Sequence, residues 1–288
     1  MIINFGSINI DHVYQVPHLV APGETLAATS YAQHLGGKGA NQSLAVARAG
    51  AEVLHVGAMN SKDQWALQIL RDSEVDTSGI AQLDDEPSGH AIISVDEGGE
   101  NSIVIVAGAN GKLDGAQIDA ALAKSKPGDW ALLQYETNAV CEIATRCKRH
   151  GLQVAFNPAP FNAEATLTVL PQVDLLIVNE TESEQLRQAL GGLAPKVPQL
   201  LTTLGARGAN LQTEAGTFDA APFSLEARDT TAAGDTFIGY FMASRALGLN
   251  DQDALRRASA AAALSVTVSG AAESIPHYDQ VDRFLAAF

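Results

Sequence analysis

The residues best suited to chemistry lie in a segment of small side chains before a predicted helix. Residues 229–237 have the sequence Asp-Thr-Thr-Ala-Ala-Gly-Asp-Thr-Phe. The small side chains of Ala232, Ala233 and Gly234 leave backbone N–H groups open to an anion, and the helix N-terminus adds positive partial charge. A carboxylate beside such an anion hole, here Asp235, is placed as a general base for phosphoryl transfer. The alternative is an acidic first-turn residue that only stabilises the helix dipole.

A glycine-rich segment supplies a second candidate site. Residues 36–41 have the sequence Gly-Gly-Lys-Gly-Ala-Asn and precede an alanine-rich predicted helix. Glycine lets the backbone approach a ligand closely. Lys38 can reach an anion, and Asn41 can bind a hydroxyl or cap the helix. The segment matches neither the GxxxxGK[ST] phosphate loop nor the GxGxxG dinucleotide fingerprint, and a tight turn without a ligand is the alternative.

Three shorter polar segments follow predicted strands, where open α/β sheets bind ligands. Asn179 and Glu182 offer the oxygen atoms that a hydrated Mg²⁺ prefers, or they cap a helix. Residues 202–208 are rich in glycine and can line nucleotide phosphates and ribose, or form a turn. Asn9 and Asp11 lie two apart in an extended segment and therefore point to the same side. They offer donors and acceptors to sugar hydroxyls, although such a pair is also common in turns.

The order of predicted elements indicates how these segments are positioned. Apolar runs that end at glycine or polar residues predict strands, and breaker-free runs rich in Ala and Leu predict helices. Their alternation predicts an α/β fold with a doubly wound, mainly parallel sheet flanked by helices. The predicted strands cover residues 2–5, 53–56, 131–134, 154–156, 175–178 and 200–203, and the predicted helices cover residues 41–49, 65–72, 139–150, 180–189, 234–246 and 251–265.

Two stretches interrupt the alternation. Residues 11–32 are extended in character, and residues 89–105 alternate around a Gly98-Gly99 turn, as in a hairpin. They form either a small β-layer that stands off the main sheet or extra edge strands of that sheet. No repeat or linker divides the chain, so one domain over residues 1–288 is expected.

The composition disfavours several functional classes. The 18 basic and 33 acidic residues give a net charge of −15, which opposes binding to nucleic acid or to an anionic membrane surface. Cys141 and Cys147 form no CxxC pair, so neither a disulfide framework nor a zinc site is expected, and a reducing cytoplasm fits best. The first residues lack the basic and apolar regions of a signal peptide. We therefore expect a soluble cytoplasmic protein that does not bind a membrane.

Taken together, the motifs resemble those of a known family. Segments 36–41 and 229–237 resemble, in this order, the two signatures of the ribokinase-like carbohydrate kinases. The resemblance covers nearly the whole chain and implies ATP, Mg²⁺ and a sugar as ligands. It also implies a nine-stranded α/β domain with a small β-sheet lid from roughly residues 9–33 and 88–106. Three shorter segments occur in the family's order between the two signatures, namely NPAP at 157–160, NETE at 179–182 and TLGARG at 203–208.

The resemblance also implies a role for each candidate residue. Asp235 is the expected catalytic base, and the expected anion hole is the backbone of Ala232, Ala233, Gly234 and Asp235. The expected sugar contacts are Asn9, Asp11, Gly37, Lys38, Asn41, Glu136 and Asp235. The expected nucleotide contacts are Asn179, Thr203, Gly205, Gly208 and Gly234, with Asn179 and Glu182 organising Mg²⁺ through water. A monovalent cation, K⁺, is expected at Asp229, Thr231, Ser265, Gly270 and Ser274.

The implied reaction is ATP-dependent phosphorylation of a sugar hydroxyl, with the 5-hydroxyl of D-ribose as the expected acceptor. Pairing of two lids is expected to form a homodimer. Two departures from the family's pattern, Ile238 and residues 59–65, bear on the substrate. A kinase of another sugar or nucleoside is therefore the first alternative, and a non-catalytic sugar or nucleotide sensor is the second. The missing dinucleotide fingerprint disfavours an oxidoreductase.

Overall fold

Two β-sheets and a set of helices position the candidate residues. The computed structural model describes residues 1–287. The strands of this part of the chain are β1 (Ile2–Phe5), β2 (Asn9–Gln15), β3 (Ser30–Gly36), β4 (Val53–Asn60), β5 (Asp76–Leu83), β6 (Gly89–Val95), β7 (Asn101–Val106), β8 (Trp130–Gln134), β9 (Gln153–Asn157), β10 (Leu175–Asn179), β11 (Gln199–Thr203), β12 (Ala209–Thr213) and β13 (Gly216–Ala220).

The α-helices lie between and after these strands. The longest has 15 residues, and within residues 1–287 no helix is long and apolar enough to cross a membrane. The helices are α1 (Lys38–Arg48), α2 (Gln64–Asp72), α3 (Gly115–Leu122), α4 (Val140–Arg149), α5 (Ala163–Val169), α6 (Glu180–Ala189), α7 (Ala233–Ala246), α8 (Asp251–Ser265) and α9 (Tyr278–Leu285).

The larger sheet has nine strands in the described part of the chain, in the order β13-β12-β11-β10-β9-β8-β1-β4-β5. From β11 to β5 all neighbouring strands pair in parallel, whereas β12 and β13 form an antiparallel edge. Strands β1, β8 and β10 consist almost entirely of buried residues, as expected where helices cover both faces of a parallel sheet. These observations confirm the predicted doubly wound α/β fold.

Helices on the two faces of the larger sheet enclose two cores. Ile2 and Ile3, neighbours on β1, belong to different cores because successive side chains of a strand point to opposite faces. The first core contains Leu44 of α1 and Phe241 of α7, and the second contains Ile143 of α4. The parallel strands are thereby held between two helical layers.

Four strands form a separate small sheet in the order β3-β2-β6-β7. Strand β2 pairs antiparallel with β3 and parallel with β6, and β6 and β7 form a hairpin whose turn includes Gly99, with a φ of 82°. The two stretches that interrupt the predicted alternation are therefore a layer of their own and not edge strands of the larger sheet. All residues of β7 are exposed, and Ile103, Val104 and Ile105 present half or more of their surface to solvent.

Helices α1 and α7 lie unusually close to each other. A Cβ atom on Gly239 of α7 would lie 2.3 Å from the Cβ of Ala45 and 2.8 Å from the carbonyl oxygen of Gln42, both in α1. A Cβ atom on Gly39 would lie 2.3 Å from the backbone nitrogen of Ser7, just after β1. Glycine at these two positions therefore allows α1 to approach both α7 and the end of β1.

The predicted elements are observed, with boundaries that shift by a few residues. Helix α1 begins at Lys38 and α7 at Ala233, so both helices start inside the two long motifs. The elements that the sequence pattern does not predict are α3, α5, α9, β5, β12 and β13. In the hairpin of β12 and β13 the buried residues Ala209, Leu211 and Ala220 are separated by exposed or half-buried residues. No continuous apolar run therefore marks these strands.

Candidate active site

Asp235 lies where the N-terminal turns of α1 and α7 meet. Its Oδ2 accepts a hydrogen bond from Nδ2 of Asn41 at 3.1 Å, and its Oδ1 accepts one from Nε2 of Gln42 at 2.8 Å. Burial raises the pKa of Asp235 above its ordinary value and the charge of Glu136 adds to the effect, whereas the Lys38 ammonium and the two amide donors oppose it. A half-buried carboxylate with a raised pKa is suited to accept a proton.

The turn before α7 has a strained conformation. Ala232 is the N-cap of α7 and has a φ of 59°, in the left-handed region that non-glycine residues rarely occupy. The N–H of Thr236 donates to the carbonyl oxygen of Ala232 at 2.8 Å and starts the helical ladder. The N–H groups of Gly234 and Asp235 precede this ladder and therefore have no intrahelical acceptor. They place positive partial charge beside the Asp235 carboxylate, as an anion hole requires.

The candidate sugar-binding residues come together from distant parts of the chain. Glu136 follows β8, and its Oε2 accepts hydrogen bonds from the backbone N–H of Lys38 at 2.9 Å and from Oγ of Ser7 at 2.5 Å. Asp11 of β2 lies against the end of β3, because a Cβ atom on Gly36 would lie 2.0 Å from its Oδ2. Strand β2, the loop after β8 and helix α1 therefore meet at one site.

The carboxylates of this site interact electrostatically. Burial, and next the negative charge of Glu136, raise the pKa of Asp11 to about 6. His34, which is opposite Asp11 in the ladder of β2 and β3, lowers this pKa, and Glu273 raises it. Nδ1 of His34 lies 3.1 Å from Oε1 of Glu273. We call Asp11, Glu136 and Asp235 the acidic cluster.

The remaining candidate sugar-binding residues differ in whether their polar atoms already have a hydrogen-bond partner. Asn41 is 5% exposed, and within residues 1–287 its Oδ1 has no hydrogen-bond partner, which suits a hydroxyl donor from a ligand. Asn9 is also buried, and its Oδ1 accepts from Nδ2 of Asn110 at 2.7 Å. Gly37 has a φ of 89° at the N-cap of α1, and a Cβ atom there would lie 2.9 Å from the backbone nitrogen of Asn9. A larger residue would therefore disturb the join between α1 and β2.

A cavity of about 340 Å³ opens beside the N-terminus of α7. Gly208 is required in its wall, because its φ is 94° and a Cβ atom would lie 1.9 Å from the carbonyl oxygen of Ala220. Most of the lining is small or apolar, so the cavity suits a ligand with a flat apolar part. Of the sequence-predicted nucleotide residues, the cavity is lined by Thr203, Gly205, Gly208 and Gly234.

Asn179 and Glu182 form the helix cap that the alternative interpretation predicts. Oδ1 of Asn179 accepts from the N–H of Glu182 and Oε2 of Glu182 accepts from the N–H of Asn179, both at 2.8 Å. Neither residue is among the described residues that line the cavity. Burial raises the pKa of Glu182, and the charge of Lys38 lowers it, so the cap lies within electrostatic reach of the site.

The predicted cation ligands lie in two loops that Asp229 connects. Oδ1 of Asp229 accepts from the N–H of Thr231 and Oδ2 accepts from the N–H of Gly270, both at 2.9 Å. Burial raises the pKa of Asp229, but these hydrogen bonds outweigh burial and hold it below its ordinary value. Ser265, the last residue of α8, and Ser274, in the loop between α8 and α9, are both buried. Carboxylate, hydroxyl and carbonyl oxygens are the donor set that a hard cation prefers.

Three comparisons relate this geometry to known proteins. A family model described as pfkB family carbohydrate kinase matches residues 1–278. The chain belongs to this family. Membership confirms the resemblance carried by segments 36–41 and 229–237.

The proteins to which this chain is similar include kinases that are named after two different sugars. The ribokinase of Haemophilus influenzae is 36% identical over 97% of this chain and 96% of its own length. The deoxyribokinase of Salmonella typhi is 31% identical over 98% of this chain and 97% of its own length. The structure of Arabidopsis thaliana ribokinase complexed with ribose and ATP superposes with a TM-score of 0.86, at 28% identity, over 99% of this chain and 98% of that one.

Some residues of the site carry no sequence signal. Gln42 directly follows the glycine motif, yet only its contact with Asp235 distinguishes it from an ordinary helical glutamine. Ser259 of α8 is 6% exposed and lines the cavity, and within residues 1–287 its Oγ has no hydrogen-bond partner. Ser7 is fully buried and holds Glu136. Ile238, which departs from the family pattern, packs in the first core and is not among the described residues that line the cavity.

Proposed function

We propose that this chain is an ATP-dependent kinase that transfers the γ-phosphoryl group of ATP to the 5-hydroxyl of D-ribose. The position of Asp235 carries the proposal. Its carboxylate is part of the acidic cluster. It lies in the first turn of α7, and the N-terminus of this helix borders the cavity that suits a nucleotide. The Haemophilus influenzae ribokinase and the Arabidopsis thaliana ribokinase complexed with ribose and ATP support ribose as the acceptor.

The sugar is held by side chains that are already fixed. Oδ1 of Asn41 accepts one hydroxyl, and the ionised carboxylate of Asp11 accepts further hydroxyls. Asn9, Gly37, Lys38 and Glu136 complete the site that we propose for the ring. A buried site that hydrogen-bonds each hydroxyl discriminates against sugars that lack one, because its own polar groups are then left unpaired.

The chemical step takes place at Asp235, between the residues proposed to bind the sugar and the cavity proposed to bind the nucleotide. Asp235 accepts the proton of the 5-hydroxyl while the hydroxyl oxygen forms its bond to the γ-phosphorus, and the bond to ADP breaks with its electron pair leaving on ADP. The N–H groups of Gly234 and Asp235 stabilise the negative charge on the transferring phosphoryl oxygens, whereas the N–H of Ala233 donates to the carbonyl oxygen of Thr230 at 3.3 Å. The Lys38 ammonium lies close enough to Asp235 to lower its pKa and contributes positive charge there.

The nucleotide occupies the cavity beside α7. Its adenosine contacts the apolar wall that includes Phe237, and its phosphates extend toward Gly234. Thr203, Gly205 and Gly208 offer backbone and hydroxyl groups from the loop after β11. This arrangement places the γ-phosphate near the N-terminus of α7, where the anion hole lies.

Two metal ions complete the proposal. Within residues 1–287 no group of three His, Cys, Asp or Glu side chains is arranged to hold a metal ion. Mg²⁺ in proteins usually keeps several waters and binds substrate phosphates, and it would do so here with ATP. Glu182 and Asn179 then act on it through water. When bound with ATP, Mg²⁺ neutralises charge on the β- and γ-phosphates. K⁺ would be held by oxygens of Asp229, Thr231, Ser265, Gly270 and Ser274 and would add positive charge beside the segment that leads into α7.

The small sheet is the proposed lid over the sugar. It carries Asn9 and Asp11 on β2, so its closure completes the sugar site and excludes water that would hydrolyse ATP. The exposed apolar strand β7 supports a homodimer in which two lids pair, since such a surface is covered in most proteins. A cytoplasmic location is consistent with Cys141 and Cys147, both of which are free thiols.

A second candidate is a kinase of 2-deoxy-D-ribose. The Salmonella typhi deoxyribokinase favours it, because that relative matches nearly the whole chain at 31% identity. The two sugars differ by a single hydroxyl, so the choice depends on which polar group of the acidic cluster or of Asn41 faces carbon 2. A kinase of another sugar or of a nucleoside is an alternative within the family, and a non-catalytic sugar or nucleotide sensor is the alternative from a different class.

The test is ADP release from the purified chain with ATP and Mg²⁺, over a panel of D-ribose, 2-deoxy-D-ribose, other pentoses, fructose and nucleosides, with and without K⁺. We expect the highest kcat/KM with D-ribose and an increase with K⁺. A higher kcat/KM with 2-deoxy-D-ribose would move the substrate and keep the mechanism. Tight nucleotide binding without turnover on any acceptor would contradict the proposal and favour a sensor.

A further inference from the structure

A fully buried amide lies directly against the candidate base. Gln42, in the second turn of α1, has no solvent-exposed surface, and its Nε2 donates to Oδ1 of Asp235 at 2.8 Å. The same nitrogen lies 3.3 Å from Oδ1 of Asn157, at the end of β9. Asp235 therefore accepts hydrogen bonds from two amides of α1. Oδ1 of Asn41 has no partner within residues 1–287 and can accept from the sugar, whereas the side chain of Gln42 contacts other buried residues of the protein.

The side-chain amide of Gln42 has one favourable orientation. An ionised carboxylate only accepts hydrogen bonds, so the group that faces Asp235 must be the NH₂. On the other side, Oε1 of Gln42 accepts from Nε2 of Gln134 at 2.7 Å. A flipped amide would place its oxygen against the carboxylate of Asp235 and its NH₂ against the NH₂ of Gln134. Both contacts would then be repulsive.

The hydrogen bonds continue into the protein core. Nε2 of Gln134 also donates to Oδ1 of Asn4 at 2.9 Å, and Nδ2 of Asn4 donates to Oγ of Ser43 at 2.8 Å. Oγ of Ser43 lies 2.8 Å from Nδ1 of His55, whose pKa burial lowers to about 4. This series from Gln134 to His55 is therefore buried and uncharged at neutral pH, and it connects β8, β1, α1 and β4.

We propose that Gln42 is the positioning residue of Asp235, and that the series from Gln134 to His55 fixes its amide so that the carboxylate stays ionised and oriented until it accepts the sugar proton. The role is distinct from that of Asn41, which shares the carboxylate but also faces the sugar. The inference rests on the proposed function, because it assigns the base role to Asp235.

Loss of the Gln42 donor has a defined electrostatic consequence. A hydrogen bond to the ionised form lowers the pKa of a carboxyl group, so its removal raises the pKa of Asp235 further. The other charged groups that act on Asp235 are Lys38 of α1 and Glu136 after β8, and both stay in place. A hydrogen bond to a charged group corresponds to a shift of about one pH unit or more.

The test uses two variants and a matched control. Gln42→Met keeps the length of the side chain and removes its donor, and Gln134→Met keeps the donor but removes the group that fixes its orientation. Ser244→Ala is the control, because Ser244 is a fully buried α7 residue whose hydroxyl has no partner within residues 1–287.

The Asp235 carboxyl carbon is titrated by NMR in substrate-free protein labelled at aspartate, with Asp235→Asn identifying its signal. The pH dependence of turnover and the KM for D-ribose are then measured.

We expect Gln42→Met to raise the pKa of Asp235 by about one unit and to move the acidic limb of turnover by the same amount. The KM for D-ribose should change by less than about threefold, since the sugar contacts are kept. Gln134→Met should shift both in the same direction by less, and Ser244→Ala should shift neither.

An unchanged titration of Asp235 in folded Gln42→Met would overturn the inference and leave Gln42 as a packing residue. If Gln42→Met does not fold, an unchanged titration in Gln134→Met would overturn it instead. Full turnover in Asp235→Asn would overturn the proposed base. The NMR titration distinguishes these outcomes because it needs no substrate and no turnover.

Discussion

The sugar-facing half of the site and the nucleotide cavity are built from opposite kinds of residue. The sugar side consists of carboxylates and amides that are buried or half-buried, such as Asp11, Glu136 and Asn41. Asp11 interacts with neighbouring charges, Glu136 accepts a backbone hydrogen bond, and Asn41 has an unpaired oxygen within residues 1–287. The nucleotide side consists mostly of glycine and apolar residues, and its polar side chains are uncharged hydroxyls, including those of Thr203 and Ser259. The difference indicates that side-chain chemistry selects the sugar, whereas backbone shape accepts the nucleotide.

Asp235 belongs to both halves, so its substitution should affect the reaction and spare binding. Asp235→Asn should lower turnover by about 10²–10⁴, the usual range for a lost general base. The amide is close in size to the carboxylate, so calorimetry should still show binding of D-ribose and of ADP within a few-fold of the unaltered chain. Loss of both ligands together would mean that Asp235 holds the site together and would remove the basis for the base role.

Asp11 tests the sugar half alone. Asp11→Asn should raise the KM for D-ribose by about ten- to hundredfold, because an acceptor with charge becomes a neutral amide, and should leave the KM for ATP nearly unchanged. Since burial and Glu136 raise the pKa of Asp11 to about 6, the unaltered chain should lose sugar affinity as the pH falls through 6. Steady-state kinetics from pH 5 to 8 measure both effects.

The same variant has a stability consequence with a defined sign. A carboxyl group whose pKa is raised on folding opposes folding once it ionises, so Asp11 lowers stability increasingly as the pH rises from about 4 to 6. Asp11→Asn should therefore melt a few degrees higher than the unaltered chain above pH 6 and lose this advantage near pH 4. If the KM for D-ribose keeps the same pH dependence in Asp11→Asn, a group other than Asp11 is responsible for that dependence.

Gly239 tests the contact between α1 and α7 that joins the two halves. An alanine in the middle of a helix usually adds about 1 kcal/mol of stability relative to glycine. At Gly239 its Cβ would lie 2.3 Å from the Cβ of Ala45, so we expect a loss of about 1–3 kcal/mol and a fall of at least about tenfold in turnover. Thermal melting and kinetics measure these effects. Gly111→Ala is the control, because its Cβ would meet no atom within 4 Å.

Ser259 should give the smallest effect, confined to the nucleotide half. Ser259→Ala removes the buried hydroxyl of the cavity, and we expect the KM for ATP to rise about fivefold, the equivalent of one ordinary hydrogen bond. The KM for D-ribose should stay unchanged. An equal rise in both constants would show that the two halves are coupled and that the comparison between them is too simple.

The fold was largely predictable from sequence because both faces of the central strands are buried. Apolar runs such as Ile2–Phe5 therefore mark their strands, and α8 was predicted over its observed length because residues 251–265 are rich in Ala and Leu and contain no breaker. The edge hairpin of β12 and β13 was missed because its few buried residues, Ala209, Leu211 and Ala220, form no continuous apolar run. Edge strands are held by their neighbour's backbone, which leaves little trace in side-chain types.

The site was predictable where backbone conformation demands small residues. The segments around Gly37 and Ala232 stand out in the sequence, and the structure places Lys38, Asn41 and Asp235 together as these motifs imply. Gln42 and Ser259 were missed because nothing in their sequence context distinguishes them from ordinary helical residues. Only the assembled fold brings Gln42 against Asp235 and places Ser259 in the wall of the cavity. For Asn179 and Glu182 the structure shows the helix cap, and their action on Mg²⁺ stays a prediction.

The most direct test of the central claim is proton-coupled ³¹P NMR of the product formed from ATP and D-ribose, with Asp235→Asn run in parallel. Transfer to the 5-hydroxyl predicts a phosphomonoester signal split by the two protons on carbon 5, formed by the unaltered chain and formed at most slowly by Asp235→Asn. A phosphate attached to another carbon, no sugar phosphate at all, or equal product from Asp235→Asn would contradict the account.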